Sequence, residues 1–366
     1  MALPLSAQRI WHLRFTVAPV LAFALVIASW GRYPSDVMLA GLAVVLVLAV
    51  LAAVHHAELI ALRVGEPYGS VILAVAVTVI EAGLIVVLML SSPETTTGLA
   101  RDAIFAAVMI AVNGIIGVSI VVATLRGGLA SFNAEGTGAA LAAIATLTVL
   151  SLVLPNFTTS ADGPVFTTPQ LIFAAAASLI VYIVFVFVQN VRHRDFFLPP
   201  ADADPGRDAH MDPPTGRQAV VSAVLLGLAL VGVVGLAKAT APLIESGVEW
   251  AGLPTTVIAV SIALLVLLPE SLAAVRASAR GRIQTSFNLG YGSVVAAVGL
   301  TIPTVAIISL ILDLDLELGL RTSEIALLAL TLFVSALTVA PGRATMLEGT
   351  MHLAIFAGFI IFVLNP

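Results

Sequence analysis

Two glutamates sit deep inside apolar stretches long enough to cross a membrane. Glu81 is the only ionisable group of VILAVAVTVIEAGLIVVLML, and Glu270 the only one of TVIAVSIALLVLLPESLAAV. A charged carboxylate in hydrocarbon is costly, so such groups face a polar cavity or a partner and mark ion or proton paths. Two of them, one in each half of the chain, point to binding of a cation, of protons, or of both in turn. Polar and helix-breaking residues accompany them. Thr78 lies one turn before Glu81 on the same helix face. Asn113 stands alone in the next apolar run, followed by Gly114 and Gly117. Pro269 precedes Glu270 and removes a backbone hydrogen bond. The run beyond it carries Asn288, Gly290, Gly292, Ser293, Gly299, Thr301 and Pro303. The glycines and proline of that last run permit locally unwound backbone, which survives in a membrane only where it lines a cavity or is packed in protein. Carboxylates, carbonyls, amides and water together suit hard cations such as Ca²⁺.

The elements that must position these groups follow from composition. The 366 residues are 60% hydrophobic and 10% charged, with mean hydropathy +1.11. A soluble domain carries about 25% charged residues, so the chain reads as an all-α polytopic membrane protein whose first partner is the lipid bilayer. Cysteine is absent, which excludes disulfides and thiolate metal sites. The histidines show no zinc spacing, and His55 and His56, being adjacent, are not expected on one side of a helix. A net charge of −5 gives no sign of a nucleic-acid partner. Nothing points to a resident cofactor or an enzyme, and no cleavable signal peptide is expected, because the first apolar run is long and lacks a cleavage site.

About 20 apolar residues span the hydrocarbon core. The pattern predicts eleven transmembrane helices, roughly 15–31, 36–57, 69–91, 102–125, 137–155, 169–190, 217–237, 254–275, 288–312, 322–340 and 345–364. Turn chemistry separates them, as at Ser91-Ser92-Pro93, Pro155-Asn156 and Pro341-Gly342. With the N-terminus in the cytoplasm, only Arg32, Arg101, Lys238 and Arg321 fall outside, and the remaining 12 of the 16 Lys and Arg fall inside. Lys238 is placed at a helix end and the acidic run Asp313-Leu-Asp-Leu-Glu317 outside, where it either attracts cations or marks an amphipathic edge. The C-terminus then lies outside. Glu81 falls on the third helix and Glu270 on the eighth, which runs the opposite way. Five helices separate them, as inverted five-helix repeats require. The expected organisation is an N-terminus and extra helix (1–35), a first repeat (36–191), a cytoplasmic linker (192–216) and a second repeat (217–366). The linker carries Asp195, Asp202, Asp204, Asp208 and Asp212 with His193 and His210, and reads as a solvated connector. Ser119, Ser178, Ser222 and Ser335 read as close-packing residues.

Two segments carry a family resemblance: GEPYGSVILAVAVTVIE (65–81) and LLPESLAAVRASARGRIQTSFNLGYGSVVAAVGLTIP (267–303). They are similar to the two alpha-repeats of the cation/calcium exchanger superfamily, and more closely to bacterial ChaA-type calcium/proton antiporters. The resemblance runs over nearly all of the chain. It implies an extra helix plus two inverted five-helix repeats in a bacterial inner membrane. The family's G-N-x-x-E signature ends at Glu81 and at Glu270, but Val77 and Thr78 replace its Gly and Asn in the first repeat, and Val266 and Leu267 in the second. Of the second repeat's G-S-S-x-Q and later proline, Gly292, Ser293 and Pro303 match while Ala296 replaces the Gln. Asn113 falls where the first repeat usually offers Ser and Asn.

The resemblance implies a secondary active antiporter. Glu81 and Glu270 would bind the cation or protons as a coupled pair, with Thr78, Asn113, Gly292, Ser293 and Pro303 in support. Transported Ca²⁺ and H⁺ are the expected cargo. With Asn and Gln ligands missing, Na⁺ or K⁺ exchange on the same fold is the alternative, and a passive cation channel a more distant one. His55, His56 and Glu58, near the cytoplasmic end of the second helix, could sense pH.

Overall fold

The computed structural model describes residues 5–29, 35–65, 68–91, 97–199 and 214–366. Of the expected linker, Asp202, Asp204, Asp208, His210 and Asp212 lie outside the described residues, as do Glu66, Pro67, Ser92 and Pro93. The described helices are α1 (Leu5–Ser29), α2 (Asp36–Val64), α3 (Tyr68–Ser91), α4 (Leu99–Met109), α5 (Ile116–Gly127), α6 (Ala134–Thr148), α7 (Thr168–Phe187), α8 (Gly216–Trp250), α9 (Thr256–Ala279), α10 (Ile283–Leu312), α11 (Thr322–Val339) and α12 (Met346–Leu364). A π-helical turn, Ile110–Ile115, fuses α4 and α5 into one rod. The described residues thus form eleven rods. Ten are long and apolar enough to cross a membrane, and the first contributes a shorter apolar stretch, Phe15–Ser29.

Two compact units share these rods: Met1–Thr96 with Met211–Ile258, and Thr97–His210 with Ala259–Pro366. Each is discontinuous in sequence. In the first unit α2 and α8 pack against each other along their length, and α1 and α3 each contact both. Small residues make this possible. Ala49, Ala52, Ala53 and Ala57 of α2 are fully buried. A Cβ on Gly232 would stand 2.8 Å from Ala22, and one on Gly235 would stand 2.6 Å from Val26. Lipid offers no hydrophobic drive for helix association, so close backbone approach and dispersion must supply it.

In the second unit the α4–α5 rod is the most enclosed. It packs on α12, while α10 packs on α7, so the third helix of each half rests on the fifth helix of the other. At the first crossing a Cβ on Gly117 would meet the Gly349 carbonyl oxygen at 3.1 Å; at the second a Cβ on Gly299 would meet Tyr182 at 2.7 Å. The α4–α5 rod and α10 run in opposite directions. α5 leads into β1 (Ala130–Ser131). α10 begins at that same end, where the Gln284 side chain accepts the Asn133 N–H at 2.6 Å. There β1 pairs antiparallel with β2 (Arg343–Ala344). At the opposite end the 313–321 segment folds inward through Glu317 N–H to Thr97 O (3.1 Å), Gly319 N–H to Pro164 O (2.9 Å) and Leu320 N–H to Leu152 O (2.8 Å).

Two expectations change. The seventh rod runs on to Trp250, so Lys238 lies inside α8 as an exposed residue. Pro242, Glu245 and Glu249 look like a loop in sequence, yet the helix carries them through. α10 is a continuous α-helix across Gly290, Gly292 and Pro303, with no unwound stretch. Its packing holds the geometry that its glycines and proline would relax. Beyond these corrections, Arg101, Arg321 and Glu317 meet in one cluster with Asp102. Arg101 is buried in the first turn of α4, with Nε 2.7 Å from Asp102 and Nη1 3.5 Å from Glu317. Arg321 reaches Asp102 at 3.4 Å.

Candidate cation and proton site

Glu81 lies on α3 in the first unit, 2% exposed. Thr78, also buried, donates its hydroxyl hydrogen to the Ala74 carbonyl at 2.8 Å, which leaves its oxygen able to accept. Two residues beyond Glu81, the missing side chain of Gly83 admits Val234 of α8, whose methyl would stand 3.0 Å from a Cβ there. The glutamate is therefore set on a helix pressed closely against its neighbour.

Glu270 lies on α9 in the second unit, 9% exposed. Pro269 withholds the N–H that the Leu265 carbonyl would take in a regular helix. Separately, the Ser271 hydroxyl donates to the Leu267 carbonyl at 2.6 Å. α9 is pinned to α5 by the Ser278 hydroxyl, which donates to the Ser119 carbonyl. Both helices run toward the β1–β2 end. At 1.5 Å per residue, Asn113 stands about 9 Å and Glu270 about 12 Å back from that pin.

Asn113 is fully buried inside the π-helical turn. Its Nδ2 donates to Thr331 Oγ1 of α11 at 2.9 Å, and its Oδ1 lies 3.0 Å from His352 Nδ1 of α12. Gly292 and Ser293 are half-buried on α10, with open space where a Gly292 side chain would point. Pro303 is buried further along the same helix. Among the described residues no cluster of three or more His, Cys, Asp or Glu is arranged to hold a metal.

His55 and His56 lie in the first unit. Adjacency sets them about 100° apart around α2, yet both line one half-open pocket of 660 Å³, because α1 and α8 close on α2. His55 stacks on Phe15 with centroids 4.2 Å apart. His56 is held between the Phe15 carbonyl (3.0 Å) and the Ser222 hydroxyl (3.3 Å). Arg217, Gln218 and Thr215 at the start of α8 complete the polar lining. Glu58, half-buried, stands next on α2. Ser222 is thus a bonding partner besides a packing residue, and so is Ser178, whose hydroxyl lies 3.2 Å from that of Ser151.

Sequence reasoning missed His352 with Thr331 and Thr338, and the Arg101–Asp102 cluster. The only signal for the first was a histidine inside an apolar run. For the second it was a pair of opposite charges opening a span.

Among the described residues, one extra rod and two sets of five inverted with respect to each other, with an acid on the second rod of each set, define the class of secondary transporters built on inverted repeats. The profile of the family described as sodium/calcium exchanger protein matches residues 35–191 and 221–365, and the chain belongs to that family. It is 46% identical over 318 residues to y4hA of Sinorhizobium fredii (strain NBRC 101917 / NGR234), named provisionally as an ionic transporter; the match covers 87% of this chain and 86% of that one. It is 29% identical over 352 residues to the sodium-potassium/proton antiporter ChaA of Escherichia coli (strain K12), covering 95% of each. Its fold is that of the H⁺/Ca²⁺ exchanger CAX, with TM-score 0.73 and 15% identity over 97% of this chain and 89% of that one. Native YfkE gives TM-score 0.69 and 17% identity over 96% and 100%. The chain is a multi-pass membrane transporter of bacterial type.

Proposed function

We propose that this protein is a secondary active cation/proton antiporter that extrudes Ca²⁺ in exchange for H⁺, with Glu81 and Glu270 as the groups that take either the cation or protons. The observation that carries this reading is the pair of buried glutamates, each on the second helix of its repeat. A divalent cation offsets two carboxylate charges and two protons do the same, so competition for one pair of groups is enough to couple the two fluxes. The E. coli relative is by name a sodium-potassium/proton antiporter, and Na⁺ or K⁺ on the same groups is the second reading. The lost amide positions at Val77-Thr78 and Val266-Leu267 favour it. Thr78, Gly292, Ser293 and Pro303 shape the path around the acids, and Asn113 braces it. The helices α2 and α8, first in their repeats, are the elements assigned to move in alternating access. The protein sits in the inner membrane with its N-terminus in the cytoplasm.

The test is proton-flux dequenching in everted vesicles with Ca²⁺, Na⁺ and K⁺ added in turn. Glu81→Gln and Glu270→Gln should each lower cation-driven proton flux more than tenfold, with protein still present in the membrane. Flux retained in both variants would sink the proposal. Voltage-driven current without proton coupling would place the protein among the channels.

A further inference from the structure

The buried carboxamide of Asn113 has the chemistry of a cation ligand, but both of its ends are already engaged. One amide hydrogen goes to Thr331 Oγ1 (2.9 Å) and the other faces Met109 Sδ (3.7 Å). The amide oxygen can only accept, so in this arrangement His352 Nδ1 carries the hydrogen of the 3.0 Å contact. On its far side His352 Nε2 is then an acceptor, 3.2 Å from Thr338 Oγ1, whose single hydrogen goes either to it or to the Val334 carbonyl at 2.9 Å. Asn113, His352 and Thr331 are 0% exposed and Thr338 is 1% exposed. This chain of buried polar groups ties α11 and α12 to one turn of the α4–α5 rod.

That turn is π-helical, one of three among the described residues; the others, Val149–Val153 and Val188–Arg192, lie at helix ends. A π turn adds a residue to the helix and rotates everything on one side of it relative to the other, and such turns recur at functional sites. Here it sets how α4 is rotated relative to α5. α10 rests directly on it: a Cβ on Gly290 would stand 3.0 Å from Ile116 and 3.7 Å from the Ala111 carbonyl. Gly292 and Ser293 follow on the same helix. On the other side α5 carries Ser119, the anchor of the Glu270 helix. The α12 backbone seats against α5 where His352 Cβ would stand 3.1 Å from a Cβ on Gly117.

We propose that His352 is a positioning residue for exchange: through the Asn113 carboxamide it latches the Ile110–Ile115 turn in its π register, and so fixes the wall beside Glu270 and Ser293. The inference rests on the reading of Glu270 as a cation-binding group. It removes Asn113 from the ligands and gives it the task of holding ligand-bearing helices apart at a set rotation.

The experiment uses the full chain in proteoliposomes and reads KM and Vmax for Ca²⁺- and Na⁺-driven proton flux. His352→Leu deletes the donor to Asn113 and should raise the cation KM at least fivefold while Vmax changes less than threefold. His352→Gln keeps a donor for the amide oxygen and should stay within twofold of the parent in both. Asn113→Leu should reproduce His352→Leu, and the double variant should be no worse than either single one. If His352→Leu does not accumulate in the membrane, Thr331→Val takes its place, with a smaller rise in KM expected. A parental KM in the Leu variants, or failure of His352→Gln to rescue, overturns the latch. Glu270→Gln measured alongside separates the two ideas. Its inactivity beside a parental His352→Leu rejects the latch alone, whereas an active Glu270→Gln rejects the reading on which the latch rests.

Discussion

Buried charge sets the terms at the scale of single residues. Asp102 lies between two arginines, Arg101 at 2.7 Å and Arg321 at 3.4 Å, and the Asp102 and Arg101 side chains are each 7% exposed. Removing one partner of such a pair strands a desolvated charge, which costs about 3–5 kcal/mol. Glu317, 3.5 Å from Arg101, offsets part of this. Asp102→Asn should therefore lower thermal stability in detergent by about 3 kcal/mol, whereas a melting point unchanged from the parent would show the cluster to be dispensable. The histidine pocket is tested differently. The sequence offers two readings of His55 and His56, a pH sensor or an interfacial cluster marking a helix end: the double alanine variant should shift the pH profile of transport and leave the cation KM alone under the first, and an unchanged profile selects the second. The two glutamates were legible in the sequence because an acid in an apolar run is anomalous by itself. His352 was not. Its meaning depends on Asn113, 239 positions away, and one sequence does not show which distant polar groups meet. The Arg101 ion pairs were not legible for the same reason: their partners beyond Asp102 lie in the 313–321 segment, far along the chain.

At the scale of helices, periodicity served well and boundaries less so. All eleven rods were visible as apolar runs, since a membrane span is written in length and hydropathy. The end of α8 was not, because Pro242 and two glutamates resemble a loop and only tertiary contact decides that the helix continues. The π turn was not legible either. It depends on what presses against the rod, and the glycines and proline of α10 pointed to irregular backbone in the wrong helix. The Gly117–Gly349 crossing offers a direct check on why the rods approach so closely. A Cβ on Gly349 would stand 3.0 Å from the Val121 nitrogen and 3.1 Å from the Gly117 oxygen, both backbone atoms that cannot swing aside. Gly349→Ala should destabilise by about 1–3 kcal/mol, the usual range for overpacking, read as a lowered melting temperature. An equally stable variant would mean that α12 can move off α5 at no cost.

For the whole molecule, the order of spans and the charge bias predict which ends share a compartment. The pairing of β1 with β2 puts the 130 and 343 loops at one end of the second unit, and the Arg101 cluster puts the 101, 164 and 317 segments at the other. The absolute direction comes from the positive-inside bias. The chain has no cysteine, so single cysteines can decide it. Arg343→Cys should react with an impermeant thiol reagent only from the cytoplasmic side, and Asp315→Cys only from the outside. The reverse pattern would invert the proposed topology. The discontinuous make-up of the two compact units could not be read from the sequence, because the repeats follow one another in order along the chain while the contacts do not.

The exchange of partners in the second unit has a consequence for the halves themselves. Because α5 lies on α12 and α10 on α7, neither repeat contains the surface its own third helix needs. A single repeat made alone would leave the Gly117 face bare and could cover it only with the fifth helix of another copy inserted upside down. The two halves of this chain are thus joined like clasped hands, and a gene for one half would have to encode a protein that inserts both ways round.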